Sequence, residues 1–167
     1  MSVRQFRALA EEKPYLELID GVVEQKPMVS ANHGRLIGRL DMRLGIYAEA
    51  NGGDFGPERN VAVDPENEFL PDTAYWAAGV ESGDYSIPTV AVEVRSPNQS
   101  MAKLRDKCRR YLGAGTSAAW LFDPKGRTVE VFEAQGVRTL RTGDTLTCEA
   151  MPGFELPLAE LFGALDR

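Results

Sequence analysis

Two acidic residues, Asp72 and Glu93, lie in short apolar segments whose composition is typical of β-strands. A carboxylate that is buried without a partner is costly, so each of these side chains needs a charge or a hydrogen-bond donor nearby. A divalent cation is one such partner, because hard cations are bound by oxygen atoms. On neighbouring strands, the two carboxylates could hold Mg²⁺ or Mn²⁺ and activate a water molecule for cleavage of a phosphodiester bond.

Two basic residues, Arg95 and Lys107, could supply positive charge to this pair of acids. Arg95 follows Glu93 by two positions, and side chains two positions apart lie on the same face of a strand. Lys107 lies in a segment with helical periodicity, where it borders an apolar stripe that includes Tyr111. We therefore predict that Arg95 and Lys107 face the acids. Lys103 lies one turn earlier and further from the stripe, so it is the weaker candidate.

The acids also allow a simpler structural interpretation. Asp72 follows Pro71 and could cap a turn, while Glu93 and Arg95 could form an ordinary ion pair on a half-exposed strand. An acidic residue followed two positions later by a basic residue is a common pattern. Spacing alone therefore leaves both the metal site and the ion pair open.

Three further residues could join the site, although a structural role is the simpler expectation for each. His33 is the single histidine and lies near the start of a predicted helix, where it could contact a phosphate or a metal. Glu17 and Glu24 flank the dipeptide at positions 20–21, whose Asp-Gly sequence favours a two-residue hairpin turn. We expect His33 to be packed or exposed to solvent, and the two glutamates to be exposed charges of the hairpin.

The periodicity of apolar residues predicts the elements that must position these side chains. Predicted helices cover 2–12, 30–51, 100–114 and 158–165, and predicted strands cover 15–19, 22–24, 60–63, 69–76, 89–95, 118–122, 128–132, 137–140 and 146–148. The strand with Glu93, the helix with Lys107 and the strand that begins at Ala118 predict a βαβ unit. Such a unit joins two parallel strands by a right-handed crossover. We predict one α/β domain, 1–167, with a mixed sheet flanked by helices.

Composition limits the classes of protein to be considered. The chain has 167 residues and a net charge of −6, which argues against broad nonspecific coating of nucleic acid. It has no apolar run near the ~20 residues that a membrane helix needs and no signal-peptide pattern, so we expect a soluble, cytoplasmic protein. Cys108 and Cys148 have no CxxC spacing and are expected to be free thiols.

The order of the motifs resembles the PD-(D/E)XK nuclease superfamily, and within it the Uma-two family of restriction-endonuclease-like proteins. The acidic pair supplies the PD and E-x-K positions of that signature. The matching blocks are LELIDG (16–21), the helix opening at 33–34, FLPD (69–72), VEVRSP (92–97), DKCRRYLGAG (106–115) and WLFDP (120–124). The resemblance covers most of the chain, from about residue 15 to residue 132.

The resemblance implies a restriction-endonuclease-like fold, DNA as substrate, and metal ligands at Asp72 and Glu93. The chain departs from the superfamily pattern at Arg95, where the signature has lysine. Arginine stays protonated and cannot serve as a general base, although it can bind a phosphate. The lysine that the family carries in the following helix matches Lys107, which could replace the missing ammonium group.

Three functions agree with the sequence. The first is a Mg²⁺- or Mn²⁺-dependent endonuclease that hydrolyses DNA, and a homodimer is plausible because cutting a duplex requires cleavage of two strands. The second is a noncatalytic protein that keeps the fold and binds nucleic acid or a protein partner; Arg95 and the acidic charge favour it. The third is a metal-dependent hydrolase of a small phosphate ester.

Overall fold

The computed structural model describes residues 1–9 and 15–167 and shows a mixed α/β fold. The helices are α1 (Val3–Arg7), α2 (Ala31–Asn51), α3 (Met101–Ala114) and α4 (Leu158–Gly163), with a 3₁₀ turn at Ala164–Asp166. The strands are β1 (Leu16–Ile19), β2 (Val22–Gln25), β3 (Asp54–Pro57), β4 (Val61–Asp64), β5 (Asn67–Phe69), β6 (Thr73–Trp76), β7 (Val90–Val94), β8 (Ala118–Asp123), β9 (Thr128–Glu133), β10 (Gly136–Arg141), β11 (Thr145–Cys148) and β12 (Met151–Pro157).

A six-stranded mixed sheet with the order β10-β9-β8-β7-β6-β3 forms the centre of the fold. Strands β7 and β8 are parallel, and α3 connects them, which confirms the predicted βαβ unit. The neighbouring pairs β6–β7 and β8–β9 are antiparallel. β7 therefore lies inside the sheet, and its five residues are all buried.

A smaller antiparallel sheet with the order β2-β1-β5-β4 lies beside the central sheet. The sequence predicted one strand over 69–76, and this prediction was wrong: β5 ends at Phe69 and β6 begins at Thr73. Pro71 has no backbone N–H for a continuous ladder, so a break here is physically reasonable. The break leaves Asp72 at the passage from one sheet to the other.

Two helices cover opposite faces of the central sheet. Leu36, Leu40 and Leu44 of α2 pack in one core with Val90, Val92 and Val94 of β7, while Leu104, Cys108 and Tyr111 of α3 pack in a second core with Ala91. Because successive side chains of a strand alternate between faces, Glu93 shares the α3 face with Ala91. The carboxylate is thereby directed toward the helix that carries Lys107.

Both long helices begin one residue after a serine that caps them. The Ser30 and Ser100 hydroxyls accept hydrogen bonds from the backbone N–H groups of His33 and Lys103. These caps satisfy donors that have no partner within the helix. Gly115 ends α3 with a φ of 114°, a left-handed conformation that favours glycine.

The structure extends some sequence-based predictions and shortens others. The first helix is α1, Val3–Arg7, shorter than the predicted 2–12, and positions 10–12 of that prediction lie outside the described residues. Strands β3 and β12 were not predicted. Cys108 and Cys148 are buried free thiols, as expected. Within the described part of the chain, no helix is long and apolar enough to cross a membrane.

Candidate active site

The structure brings Asp72 and Glu93 to one cavity of about 320 Å³, which Lys26 and His33 also line. Asp72 is 4 % exposed and Glu93 is 2 % exposed. The Asp72 backbone N–H donates to Val92 O at 2.9 Å, which holds the passage between the sheets against β7. The two acids therefore lie on adjacent segments, Glu93 near the end of β7 and Asp72 just before β6, an arrangement that the sequence suggested.

Asp72 has partners from three parts of the chain: the segment between β2 and α2, helix α2 and strand β7. Lys26 Nζ lies 2.7 Å from Oδ1, the Val94 backbone N–H donates to Oδ2 at 2.7 Å, and His33 Nε2 lies 3.2 Å from Oδ2. Burial on its own would raise the pKa of Asp72, but Lys26 and His33 outweigh burial and hold this pKa well below its ordinary value. Asp72 is therefore a buried carboxylate that stays ionised.

Glu93 has a different electrostatic environment. The Tyr111 hydroxyl donates to Glu93 Oε1 at 2.8 Å, and Lys107 Nζ lies 2.8 Å from the same oxygen. Burial raises the pKa of Glu93, and the negative charge of Asp72 raises it further, while Lys107 acts in the opposite direction. The net effect is a raised pKa, so Glu93 is the acid of the pair that a proton occupies more readily.

Lys107 is shared between Glu93 and Glu17. Its Nζ lies 2.5 Å from Glu17 Oε1, and the same oxygen accepts the Leu70 backbone N–H at 2.7 Å. Burial would lower the pKa of Lys107, but the two glutamates raise it above its ordinary value. The structure thus places Lys107 against the acids, whereas Lys103 is exposed.

Arg95 departs from its predicted position. Its Nε donates to Gln99 O at 3.0 Å, and its Nη1 lies 3.5 Å from Asp123 Oδ2, so the contacts of the guanidinium lie at the end of β8. Strand β7 ends at Val94, and the alternation that predicted the direction of the Arg95 side chain need not continue beyond it. The carboxylate of Asp123, at the end of β8, attracts the guanidinium and explains its direction.

The expectations for the hairpin acids and for His33 are corrected in part. Glu17 is buried and paired with Lys107, not exposed, whereas Glu24 is exposed as expected. His33 is packed as expected, and in addition it contacts Asp72. Its position in the first turn of α2 follows from the cap at Ser30.

Lys26 is the residue of the site that sequence reasoning missed. Its Nζ donates to Leu70 O at 2.6 Å and to Asp72 Oδ1 at 2.7 Å. Lys26 lies between β2 and α2, 46 residues before Asp72, in a segment without helical or strand periodicity. Tyr111 was assigned to the core, and its hydroxyl contact with Glu93 could not be inferred from its place in the stripe.

The donor atoms suit Mg²⁺ or Mn²⁺ better than a softer metal. The described residues contain no group of three or more His, Cys, Asp or Glu side chains placed to hold a metal. Mg²⁺ is usually bound by one or two carboxylates, with water molecules and substrate phosphate completing the shell. Both contacts that Glu93 receives from Tyr111 and Lys107 end on Oε1. Glu93 Oε2 is thus the oxygen of this carboxylate better suited to a cation, whereas Asp72 already accepts contacts on both oxygens, from Lys26 on Oδ1 and from Val94 and His33 on Oδ2.

Comparisons with known proteins agree with this fold. The family model Uma2, described as "Putative restriction endonuclease", matches residues 3–159. A crystal structure of a putative nuclease belonging to DUF820 from Anabaena variabilis aligns with a TM-score of 0.87 and 21% sequence identity, covering 99% of each chain. At this identity the alignment shows a shared fold. The search of curated proteins gave no match. Because the family match spans nearly the whole chain, this protein belongs to the Uma2 family of restriction-endonuclease-like proteins.

Proposed function

We propose that this protein hydrolyses phosphodiester bonds of DNA with Mg²⁺ or Mn²⁺ held by Asp72 and Glu93. The observation that carries the proposal is the placement of two nearly inaccessible carboxylates on one cavity, each paired with a lysine. The description of the family as restriction endonucleases supports the same reaction. When bound, the cation would lower the pKa of a water molecule and neutralise negative charge on the phosphate.

The ion-paired groups around Asp72 and Glu93 suit an anionic substrate once a divalent cation is present. Asp72, Glu93 and Glu17 are three carboxylates, and Lys26 and Lys107 are two ammonium groups. With all five ionised, the group has one excess negative charge. A divalent cation would reverse this to one excess positive charge, which favours a phosphodiester.

The two lysines would act as fixed cations and not as bases. Asp72 and Glu93 raise the pKa of Lys26, and Glu17 and Glu93 raise that of Lys107, in each case against the effect of burial. Both ammonium groups therefore stay protonated. Positive charge held in place before the reaction stabilises the negative charge that develops on a phosphate during attack by water.

A noncatalytic nucleic-acid or protein-binding role is the alternative, and two contacts favour it. Lys26 neutralises the charge of Asp72 directly, and the position of the signature lysine is held by Arg95, which pairs with Asp123. In this alternative the ion pairs stabilise the fold only. Measurement of metal binding separates the two roles.

Calorimetric titration with Mg²⁺ and Mn²⁺ tests the proposal directly. We expect the wild-type protein to bind one cation, and Asp72→Ala to lose the binding heat. Asp84→Ala is the matched control, because Asp84 is an exposed residue of a loop. Wild type and Asp84→Ala should also cleave supercoiled plasmid and single-stranded circular DNA, whereas Asp72→Ala should cleave neither. A wild type that neither binds cations nor cleaves either DNA supports the noncatalytic alternative.

Homodimer formation stays a prediction, which analytical ultracentrifugation tests.

A further inference from the structure

Four residues that line the cavity, which we call the apolar wall, are Tyr15, Pro27, Met28 and Val29. The Lys26 backbone N–H donates to Tyr15 O at 2.9 Å, so Tyr15 lies beside the segment that carries the other three. Met28 is 87 % exposed and Val29 is 56 % exposed, so the wall faces solvent. Clusters of exposed apolar side chains mark binding surfaces in soluble proteins. Metal ligation and attack on a phosphate make no use of apolar side chains, so the wall indicates a further part of the substrate.

The charges around the cavity argue against binding through phosphates alone. The described residues that line it include three carboxylates, on Glu58, Asp72 and Glu93, and one lysine, Lys26. Proteins that hold a duplex depend on many contacts between basic side chains and phosphates. The net charge of −6 gives the whole chain no excess of basic residues for this purpose. Contacts with another part of the nucleic acid must then supply affinity.

The faces of the bases are the apolar part of a nucleic acid. In a duplex these faces are stacked on one another, whereas an unpaired nucleotide can place its base against aromatic or apolar side chains. A cavity of about 320 Å³ lies at the lower end of the ~300–1,000 Å³ range of small-ligand sites. Such a space suits one nucleotide better than a rigid double helix.

We propose that the apolar wall binds the base of an unpaired nucleotide whose phosphate lies at Asp72 and Glu93, so that the substrate is single-stranded or locally unpaired nucleic acid. This inference rests on the proposed nuclease function and specifies its substrate. Met28 lies next to Pro27 and two residues after Lys26. The segment that pairs with Asp72 therefore also presents the apolar wall.

Fluorescence anisotropy with a labelled oligonucleotide of mixed sequence, single-stranded or in a blunt duplex, tests the proposal. Ca²⁺ replaces Mg²⁺ in these titrations to suppress cleavage during the measurement. We expect the single strand to bind at least tenfold more tightly than the duplex. Met28→Ala should weaken binding of the single strand by about three- to tenfold, through lost contact with the base.

Met42→Ala is the matched control, because Met42 is also exposed, at 48 %, but lies on α2 and does not line the cavity. It should bind the single strand as the wild type does. Equal binding of the two oligonucleotides, preference for the duplex, or no binding of either would overturn the inference. Equal affinities of Met28→Ala and Met42→Ala for the single strand would also overturn the inference.

Failure of this inference and failure of the nuclease proposal give different results. Cleavage of duplex plasmid that is lost in Glu93→Gln but unaffected by Met28→Ala would keep the nuclease and reject the unpaired nucleotide. Cleavage that persists in Glu93→Gln would reject the nuclease site itself. The apolar wall could instead bind a second copy of the chain, and analytical ultracentrifugation tests this. A wild-type dimer that dissociates in Met28→Glu would overturn the inference.

Discussion

Lys26 and Asp72 form an ion pair in which Nζ lies 2.7 Å from Oδ1, and their side chains are 11% and 4% exposed. The pair joins the segment before α2 to the passage between the two sheets. Removal of one member of a buried pair leaves the other charge without compensation, which is the costly case for a protein interior. The fold and the charge state of the cavity are therefore coupled through this contact.

We predict that Lys26→Met lowers the free energy of unfolding at pH 7 by about 3–5 kcal/mol. Burial raises the pKa of Asp72, and Lys26 and His33 hold it below its ordinary value in the wild type. In Lys26→Met the largest lowering influence is gone and, of the two, His33 alone remains, so we expect burial to raise this pKa above its value in the unfolded chain. A raised folded-state pKa means that stability increases as the pH falls through it. The difference between wild type and variant should therefore shrink between pH 7 and pH 4.

Urea denaturation of both proteins at several pH values measures this dependence. Lys125→Met is the control, since Lys125 is exposed in the turn after β8 and should change stability by less than about 0.5 kcal/mol. A stability difference between wild type and Lys26→Met that is the same at pH 7 and pH 4 would contradict the coupling of Lys26 to Asp72.

Glu93→Gln should remove cleavage while leaving the fold intact. The amide keeps the size of the side chain, but it loses the charge that would bind a cation. Loss of groups that only orient metal ligands typically costs about 10–100-fold, so loss of a ligand should exceed that range. Plasmid nicking with Mg²⁺ and Mn²⁺ measures the effect. Glu24→Gln, a change at an exposed position of β2, should keep wild-type activity.

Lys107→Met should reduce both stability and cleavage, whereas Lys103→Met should reduce neither. Lys107 lies between Glu17 and Glu93, so its removal leaves two buried carboxylates close together, and we expect a loss of about 3–5 kcal/mol. Lys103 is on the same helix and is exposed. Thermal unfolding and plasmid nicking of the two variants provide the comparison, and equal losses would reject the role of Lys107.

Arg95→Lys should leave cleavage within about twofold of the wild type, and it should not raise activity. Lysine would restore the superfamily signature, and at the position facing the acids that the sequence predicts it would retain or raise activity. In the structure, Arg95 contacts Gln99 and Asp123, and we expect a lysine there to stay near the same carboxylate. Initial cleavage rates decide the point: a clear increase would mean that a lysine at this position reaches the acids.

Sequence patterns predicted the elements whose periodicity is strong. The apolar stripe of Leu104, Cys108 and Tyr111 predicted α3, and the apolar segments before and after it predicted β7 and β8. The break around Pro71 and the strand β12 were missed, because short apolar segments carry little information about which sheet they join. The βαβ pattern predicted the mixed sheet, and the family resemblance added a restriction-endonuclease-like fold.

What the sequence by itself determined about the site was the pair Asp72 and Glu93 and the approach of Lys107 to them. These residues lie on or beside regular elements, where periodicity fixes the face of a side chain. Only the tertiary structure decided that Lys26 and Glu17 complete the ion pairs and that Arg95 turns to Asp123. Their partners are distant in sequence or lie beyond the end of a strand, so their contacts depend on how the two sheets and α3 pack together.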